Sequence, residues 1–272
     1  MPVLTLPDDK KSWRLLTTEG AILRWFGWLA LVALTVFCWR VMTEGTIWAF
    51  AWDAPTQAAD IFGRMVPPRW EYANNLWQPL WDTINIATIG TLLAIALGTP
   101  LAFLAARNTT PSTLIIRPIA LLIIVSSRSI NALIWGLLLV AILGPGVLAG
   151  IIAIALRSIG FIGKLLYEAI EEIDESQVEA IRATGASSAQ VMTYGMVPQL
   201  LPAFATICLF RWDINIREST VLGLVGAGGL GLALEASLNV LAWPQVSVIL
   251  LMILVTVLLS EWVTAKVRTA II

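Results

Sequence analysis

Arg211, Asp213, Asn215, Arg217 and Glu218 lie together inside an otherwise apolar stretch. On a helix Asp213 and Arg217 stand four residues apart and can pair, while Arg211, Asn215 and Glu218 share a neighbouring face. A guanidinium stays charged and presents a planar fork of donors that matches oxyanions, so arginines here point to recognition of an anion. Each central arginine costs about 2.5–3.5 kcal/mol on membrane-insertion scales, so such residues face protein or a water-filled path. The run Ser126-Ser127-Arg128-Ser129-Ile130-Asn131 interrupts a second apolar stretch. Interrupted helices at membrane depth line cavities. Arg128, Asn131, Arg211, Asp213, Asn215 and Arg217 are therefore the candidates for a substrate pathway. Away from span ends, Arg128, Arg157, Arg211 and Arg217 outnumber Asp213 and Glu218, which favours an anionic cargo. A structural alternative stays open: Arg128 and Arg157 snorkel to an interface, and the charges around Arg217 neutralise one another.

Catalysis finds little to work with. The chain has no histidine and only two cysteines, Cys38 and Cys208, both in apolar runs. That removes the commonest general base and metal ligand, and two isolated thiols do not make a zinc site. Both are expected to be small buried apolar residues rather than a disulfide pair. The expectation is a chain that is not an enzyme, with no metal and no cofactor of its own. A net charge of −1 and the lack of a basic stripe with interleaved aromatics argue against nucleic acid.

The elements that must hold these residues are membrane spans. Of the 272 residues, 58% are hydrophobic and 13% charged, about half the charge of a soluble domain, and the mean hydropathy is +0.83. A span takes roughly 20 apolar residues. Six candidates follow: 21–42, 80–106, 118–143, 147–163, 198–220 and 243–264. The first is too long for a signal-peptide core and lacks a small-x-small cleavage site, so it reads as a retained span. The expected fold is all-α, one polytopic transmembrane domain over 1–272, with an outer segment at 43–79 and an inner one at 164–197. With both termini inside, the inner side holds Lys10, Lys11, Arg14, Arg24, Arg107, Arg117, Lys164, Arg182, Lys266 and Arg268. The outer loops hold Arg64 and Arg69, with Arg40 at the outer end of the first span; this is the positive-inside bias. Trp48, Trp52, Trp70 and Trp77 read as interfacial anchors, and Pro67-Pro68 as a break between short surface helices.

The inner segment carries its own signals. Ser176-Gln177-Val178-Glu179 has capping-box spacing, which predicts a helix starting near Gln177. Ala180, Ala183 and Ala186 permit close approach of another surface, and Gly185 allows a backbone turn. An ordinary solvated helix is the bland alternative, for which alanines and a glycine are a poor choice. Gly226-Ala227-Gly228-Gly229-Leu230-Gly231 satisfies G-x-G-x-x-G, but it lies between two spans rather than after a strand. Gly226, Gly228, Gly229 and Gly231 are expected to form a close-packed outer gate loop. There is no G-x-x-x-x-G-K-[ST] phosphate loop.

Glu179-Ala180, Gly185-Ala186 and Leu201-Pro202 resemble the coupling loop of bacterial ABC importer permeases, with Ile181 where alanine is frequent. The order Phe210-Arg211, Asp213, Asn215, Arg217, Val221-Leu222-Gly223 and the glycine run is similar to phosphonate-class permeases, as is Arg182-Ala183-Thr184-Gly185-Ala186. This likeness runs from about Arg117 to the C-terminus. Asp213 often corresponds to glutamate there, and Glu218 replaces a small residue. The resemblance implies a type I importer fold in the bacterial inner membrane and a homodimer of permeases. It also implies two cytoplasmic ATPases binding ATP and Mg, and a periplasmic binding protein. Glu179, Ala180, Gly185 and Ala186 would then couple to the ATPase. The cargo would be a phosphonate, phosphite or related phosphorus oxyanion. Alternatives are an importer permease for methionine or another small solute, and a stand-alone secondary anion transporter. A membrane enzyme for phosphorus compounds lacks a nucleophile constellation.

Overall fold

The computed structural model describes residues 3–5, 11–13 and 18–271, with side chains from 19 to 270. Lys10 and Arg14 of the inner-side set lie outside the described residues, as does the side chain of Lys11. The chain divides into two units, one ending at Asp60 and one beginning at Ile61.

The first unit opens with strands β1 (Val3–Thr5) and β2 (Lys11–Trp13), paired antiparallel with Leu4 opposite Ser12. Helix α1 (Thr18–Thr43) has 26 residues, enough at about 1.5 Å per residue to cross a bilayer. None of its apolar window is buried against protein. Cys38 is accordingly exposed and Cys208 half-buried, which corrects the expectation of two buried thiols. An apolar side chain on a membrane helix can face lipid as readily as protein. Helix α2 (Trp48–Met65) carries Trp48 and Trp52 exposed, and the rings of Trp39 and Trp48 lie 6.3 Å apart. Within α2, hydrogen bonds from Gln57 and then Thr56 hold the Asp53 carboxyl below its usual range. Pro67-Pro68 falls in the break between α2 and a 3-10 turn, Trp70–Leu76.

The second unit is built on α3 (Trp77–Ala105) and α6 (Val147–Glu171). Their contact is lined by small residues: Gly90, Ala94 and Gly98 on α3, Ala153 and Gly163 on α6. A β-carbon on Gly90 would stand 2.8 Å from Ile154 Cγ2. Without water to expel, membrane helices associate through such close packing. Around this pair stand α4 (Ile116–Ser129), α5 (Ala132–Leu143), α9 (Val197–Gly223) and α11 (Trp243–Ile271). Two short helices, α7 (Glu175–Ala183) and α8 (Ser188–Val191), join α6 to α9. Between α8 and α9 the backbone takes a π-helical turn at Met192–Met196. Helix α10 (Gly229–Asn239) precedes α11.

Among the described residues five helices are long and apolar enough to span a membrane, or six if the bent pair α4–α5 is one span. That pair turns through 87° at the Ser129–Asn131 break. The expected fourth span ended at 163, but α6 continues to Glu171. Its last turns are held by the Lys164–Glu168 pair, at 3.3 Å and four residues apart, and by Arg117 reaching Glu171 at 3.4 Å.

Candidate functional site

Three arginines from three helices converge on one aromatic ring. The guanidinium carbons of Arg128 (α4), Arg157 (α6) and Arg211 (α9) lie 5.7, 5.6 and 4.6 Å from the centre of the Phe161 ring. At such distances a guanidinium is attracted to the negative face of the ring, by about 0.5–1 kcal/mol when exposed and about 2 when desolvated. Arg211 is 3% exposed; its Nε donates to Ser158 Oγ at 2.9 Å. Ser158 Oγ donates to Asn215 Oδ1 at 3.1 Å, and Asn215 Nδ2 donates to Thr91 Oγ1 at 2.7 Å. This buried chain ties α9 to α6 and α3. Asn215 therefore braces the site from behind, fully buried, rather than lining an open path.

Glu218 is the carboxylate that answers the cluster. Its Oε1 lies 2.8 Å from Arg157 and its Oε2 3.0 Å from Arg211. Asn131 caps α5 by accepting from Leu133 N at 3.2 Å, and the same oxygen lies 3.4 Å from Arg157 Nη1. Arg128 is exposed and has no carboxylate partner among the described residues. Glu218 thus answers two of the three guanidiniums. Arg157 turns inward to Glu218 rather than snorkelling to an interface.

The crossing of α4 over α6 brings Arg128 to this ring. A β-carbon on Gly160 would meet Ile124 O at 2.5 Å and Arg128 N at 2.8 Å, so only glycine lets α4 come this close. Ser127 Oγ donates to Leu156 O and accepts from Gly160 N, the two groups that pair with each other in an uninterrupted helix. A hydroxyl from α4 is thereby wedged into the ladder of α6, directly beside Arg157.

Asp213 and Arg217 form the expected four-apart pair, yet on a different side of α9. Asp213 also accepts from Ser260 Oγ of α11 at 2.8 Å. Arg217 remains 45% exposed. The six candidate residues are thus split. Arg128, Asn131 and Arg211 meet, with Asn215 behind them; Asp213 and Arg217 stand with α11. Sequence reasoning passed over Phe161, Ser158 and Ser127, although the position of Ser127 in a polar interruption was a usable signal.

In the loop between α6 and α9 the cap is Asp174, not Ser176. Asp174 accepts from Ser176 N at 3.0 Å and from Ser176 Oγ at 2.6 Å, so α7 begins at Glu175, two residues earlier than predicted. A carboxylate at a helix N-terminus gains from the macrodipole as well as from the hydrogen bond, and so outcompetes serine. These bonds, the Ser176 hydroxyl first, hold the Asp174 carboxyl below its usual range. The reciprocal capping box belongs instead to Ser187 and Gln190, at α8. Val178 and Val191 anchor the loop in a core with Ala102, Leu166 and Ile170. Glu179, Ala180 and Gly185 face outward, while Ala186 packs against that core. Gly185 has φ +80°, the left-handed turn expected of it.

The glycine run packs rather than opening a phosphate cradle. Gly226, Gly228 and Gly229 all have positive φ, and a β-carbon on Gly231 would lie 1.9 Å from Thr220 O. Gly226 O accepts from Gly146 N at 3.0 Å, and Leu230 N donates to Thr83 Oγ1 at 2.8 Å.

Known proteins resemble this chain in sequence and fold. Residues 98–270 match the family described as binding-protein-dependent transport system inner membrane component. The phosphite transport system permease protein PtxC of Stutzerimonas stutzeri is 37% identical over 265 residues, 95% of this chain and 94% of that relative. The likeness therefore extends well upstream of Arg117. A second protein of that organism, the putative phosphite transport system permease HtxC, is 34% identical over 77% of this chain and 74% of its own length. The fold is shared with the MetNI methionine ABC transporter in an inward-facing conformation, with TM-score 0.62 and 22% identity over 72% of this chain and 96% of that one. ATP hydrolysis in such systems resides in a separate subunit, and this multi-pass chain is not itself catalytic. With its all-helical spans and these likenesses, the chain belongs to the family of inner membrane permease components of binding-protein-dependent ABC transporters.

Proposed function

We propose that this chain is the permease of an ATP-driven importer for a phosphorus oxyanion: a phosphonate, phosphite or close relative. The observation that carries the reading is the gathering of Arg128, Arg157 and Arg211 on Phe161, with Glu218 as the carboxylate between Arg157 and Arg211. Its resemblance to a phosphite permease along nearly the whole length supports the same cargo. Two copies pair around one pathway as a single transmembrane domain each, with both termini and residues 164–197 inside and 43–79 outside. Two ATPases dock on Glu179, Ala180, Gly185 and Ala186, and a periplasmic binding protein delivers the anion. ATP-driven closure of the ATPases moves α7, the pathway opens outward past the glycine loop, and hydrolysis returns it inward. Arg217 and Asp213 line the path beyond the cluster, and the arginines pass the anion on without holding it tightly.

The test is ATP-driven uptake in liposomes by the full complex with its binding protein, comparing phosphite, methylphosphonate, phosphate and methionine. Uptake of a phosphorus anion supports the reading. Uptake of methionine alone overturns the cargo and demotes the arginines to structure.

A further inference from the structure

Glu218 stands between two arginines as a substrate oxyanion would. Its two oxygens bind separate guanidiniums, at 2.8 Å to Arg157 and 3.0 Å to Arg211. Two oxygens of a tetrahedral oxyanion make the same bridge, because a guanidinium reads the oxygens and their charge rather than the atom that bears them. The two arginines are not equally fixed. Arg211 is 3% exposed and tied to Ser158, whereas Arg157 is 21% exposed and held, besides Glu218, by a long 3.4 Å contact to Asn131. Arg157 Nε is buried with no acceptor among the described residues. Arg128 reaches the ring from α4 with no carboxylate partner among the described residues. The cluster is therefore short of negative charge and has unused donors on the side away from Arg211.

Resting on the oxyanion reading above, we infer that Glu218 is a resident counter-anion: passing cargo takes Arg157 away from it and binds Arg128 as well, while Glu218 stays on Arg211. Three unanswered guanidiniums at membrane depth would trap a multiply charged anion. A path must bind well enough to admit an ion and weakly enough to release it. A carboxylate that competes for one of the three arginines sets that balance. The exchange also keeps Arg211 paired throughout, so no buried charge is left alone.

The experiment titrates the detergent-purified permease–ATPase complex, without nucleotide or binding protein, with phosphite, inorganic phosphate and sulfate. Uptake in liposomes is measured alongside. Glu218→Gln keeps an oxygen for Arg211 and removes the competing charge. It is expected to bind the anions about tenfold more tightly than wild type, as befits one charge-assisted bond no longer contested. Uptake should slow as release becomes limiting. Adding Arg128→Gln should cancel the gain. Glu218→Asp retains the charge on a shorter arm, should gain less, and carries the test if the glutamine variant does not assemble. Affinity unchanged or lowered in these variants overturns the inference, leaving Glu218 as a brace. If the wild-type complex imports no phosphorus oxyanion while Glu218→Gln still gains affinity for sulfate and phosphate, the cargo assignment falls and the counter-anion stands. Phosphite import with no gain in either variant sinks the counter-anion alone.

Discussion

Ser127 of α4 and Gly160 of α6 are locked together: the serine hydroxyl accepts from the glycine N–H at 2.9 Å, and no β-carbon fits on the glycine. This contact sets how far α4 reaches over α6, and so whether Arg128 meets the Phe161 ring. A Gly160→Ala substitution must push the helices apart, since the nearest obstacles are the backbone atoms Ile124 O and Arg128 N. We expect a loss of about 1–3 kcal/mol, the usual range for overpacking. The thermal midpoint of the purified complex reads it directly. A midpoint equal to wild type would show that the crossing is looser than the geometry implies.

Phe161 is the platform on which three guanidiniums are gathered. Phe161→Leu keeps much of the apolar volume and removes the ring face, at about 0.5–2 kcal/mol per cation contact. Uptake should fall at least severalfold, and Phe161→Tyr should restore most of it. Full uptake by the leucine variant would mean that packing, not the π face, is what the site needs.

Arg217 pairs with Asp213, and Asp213 keeps Ser260 as a second donor. Arg217→Ala therefore leaves the carboxylate hydrogen-bonded and should still assemble with the ATPase. Uptake should be abolished if the half-exposed guanidinium lines the path. Copurification of the ATPase checks the first part and liposome uptake the second; normal uptake removes Arg217 from the pathway.

Gly185 occupies the left-handed region just after α7, on the exposed side of the loop between α6 and α9. Any side chain there costs about 1–2 kcal/mol of backbone strain. Gly185→Arg adds bulk at the face proposed to meet the ATPase, so ATP-driven uptake should be lost while the spans fold normally. Retained uptake would displace the docking assignment from this turn.

Asp174 has a depressed carboxyl pKa, caused first by the Ser176 hydroxyl and then by the Ser176 N–H. A carboxylate with a lower pKa folded than unfolded contributes stability that is present above the unfolded value. That contribution disappears as pH falls through the folded value. Asp174→Asn keeps the cap oxygen and loses the charge. The protection of α7 against proteolysis should thus be greater in wild type at neutral pH, with the gap closing below the usual carboxylate range. A gap that persists unchanged in acid would assign the difference to shape rather than charge.

The sequence alone was enough for the spans, the interruption at Ser126–Asn131, the Asp213–Arg217 pair and the turn at Gly185. Each is a local property: run length, a polar break, a four-residue spacing, or a residue free to take positive φ. Even locally, competition between near-equal caps misled, because Asp174 and Ser176 both offer oxygens and charge decides between them. What only the tertiary structure settled is the company these residues keep. Helical periodicity says which side chains share a face of one helix, but not which helix will cover that face. Arg128, Arg157 and Arg211 are far apart along the chain and meet because small residues at Gly160 and Gly163 let α4 lie on α6, while Ser158 and Asn215 fix α9 beside them. The same non-local packing brought Arg157 of α6 onto Glu218, whose face of α9 already carried Arg211, and so made it the carboxylate that two arginines share.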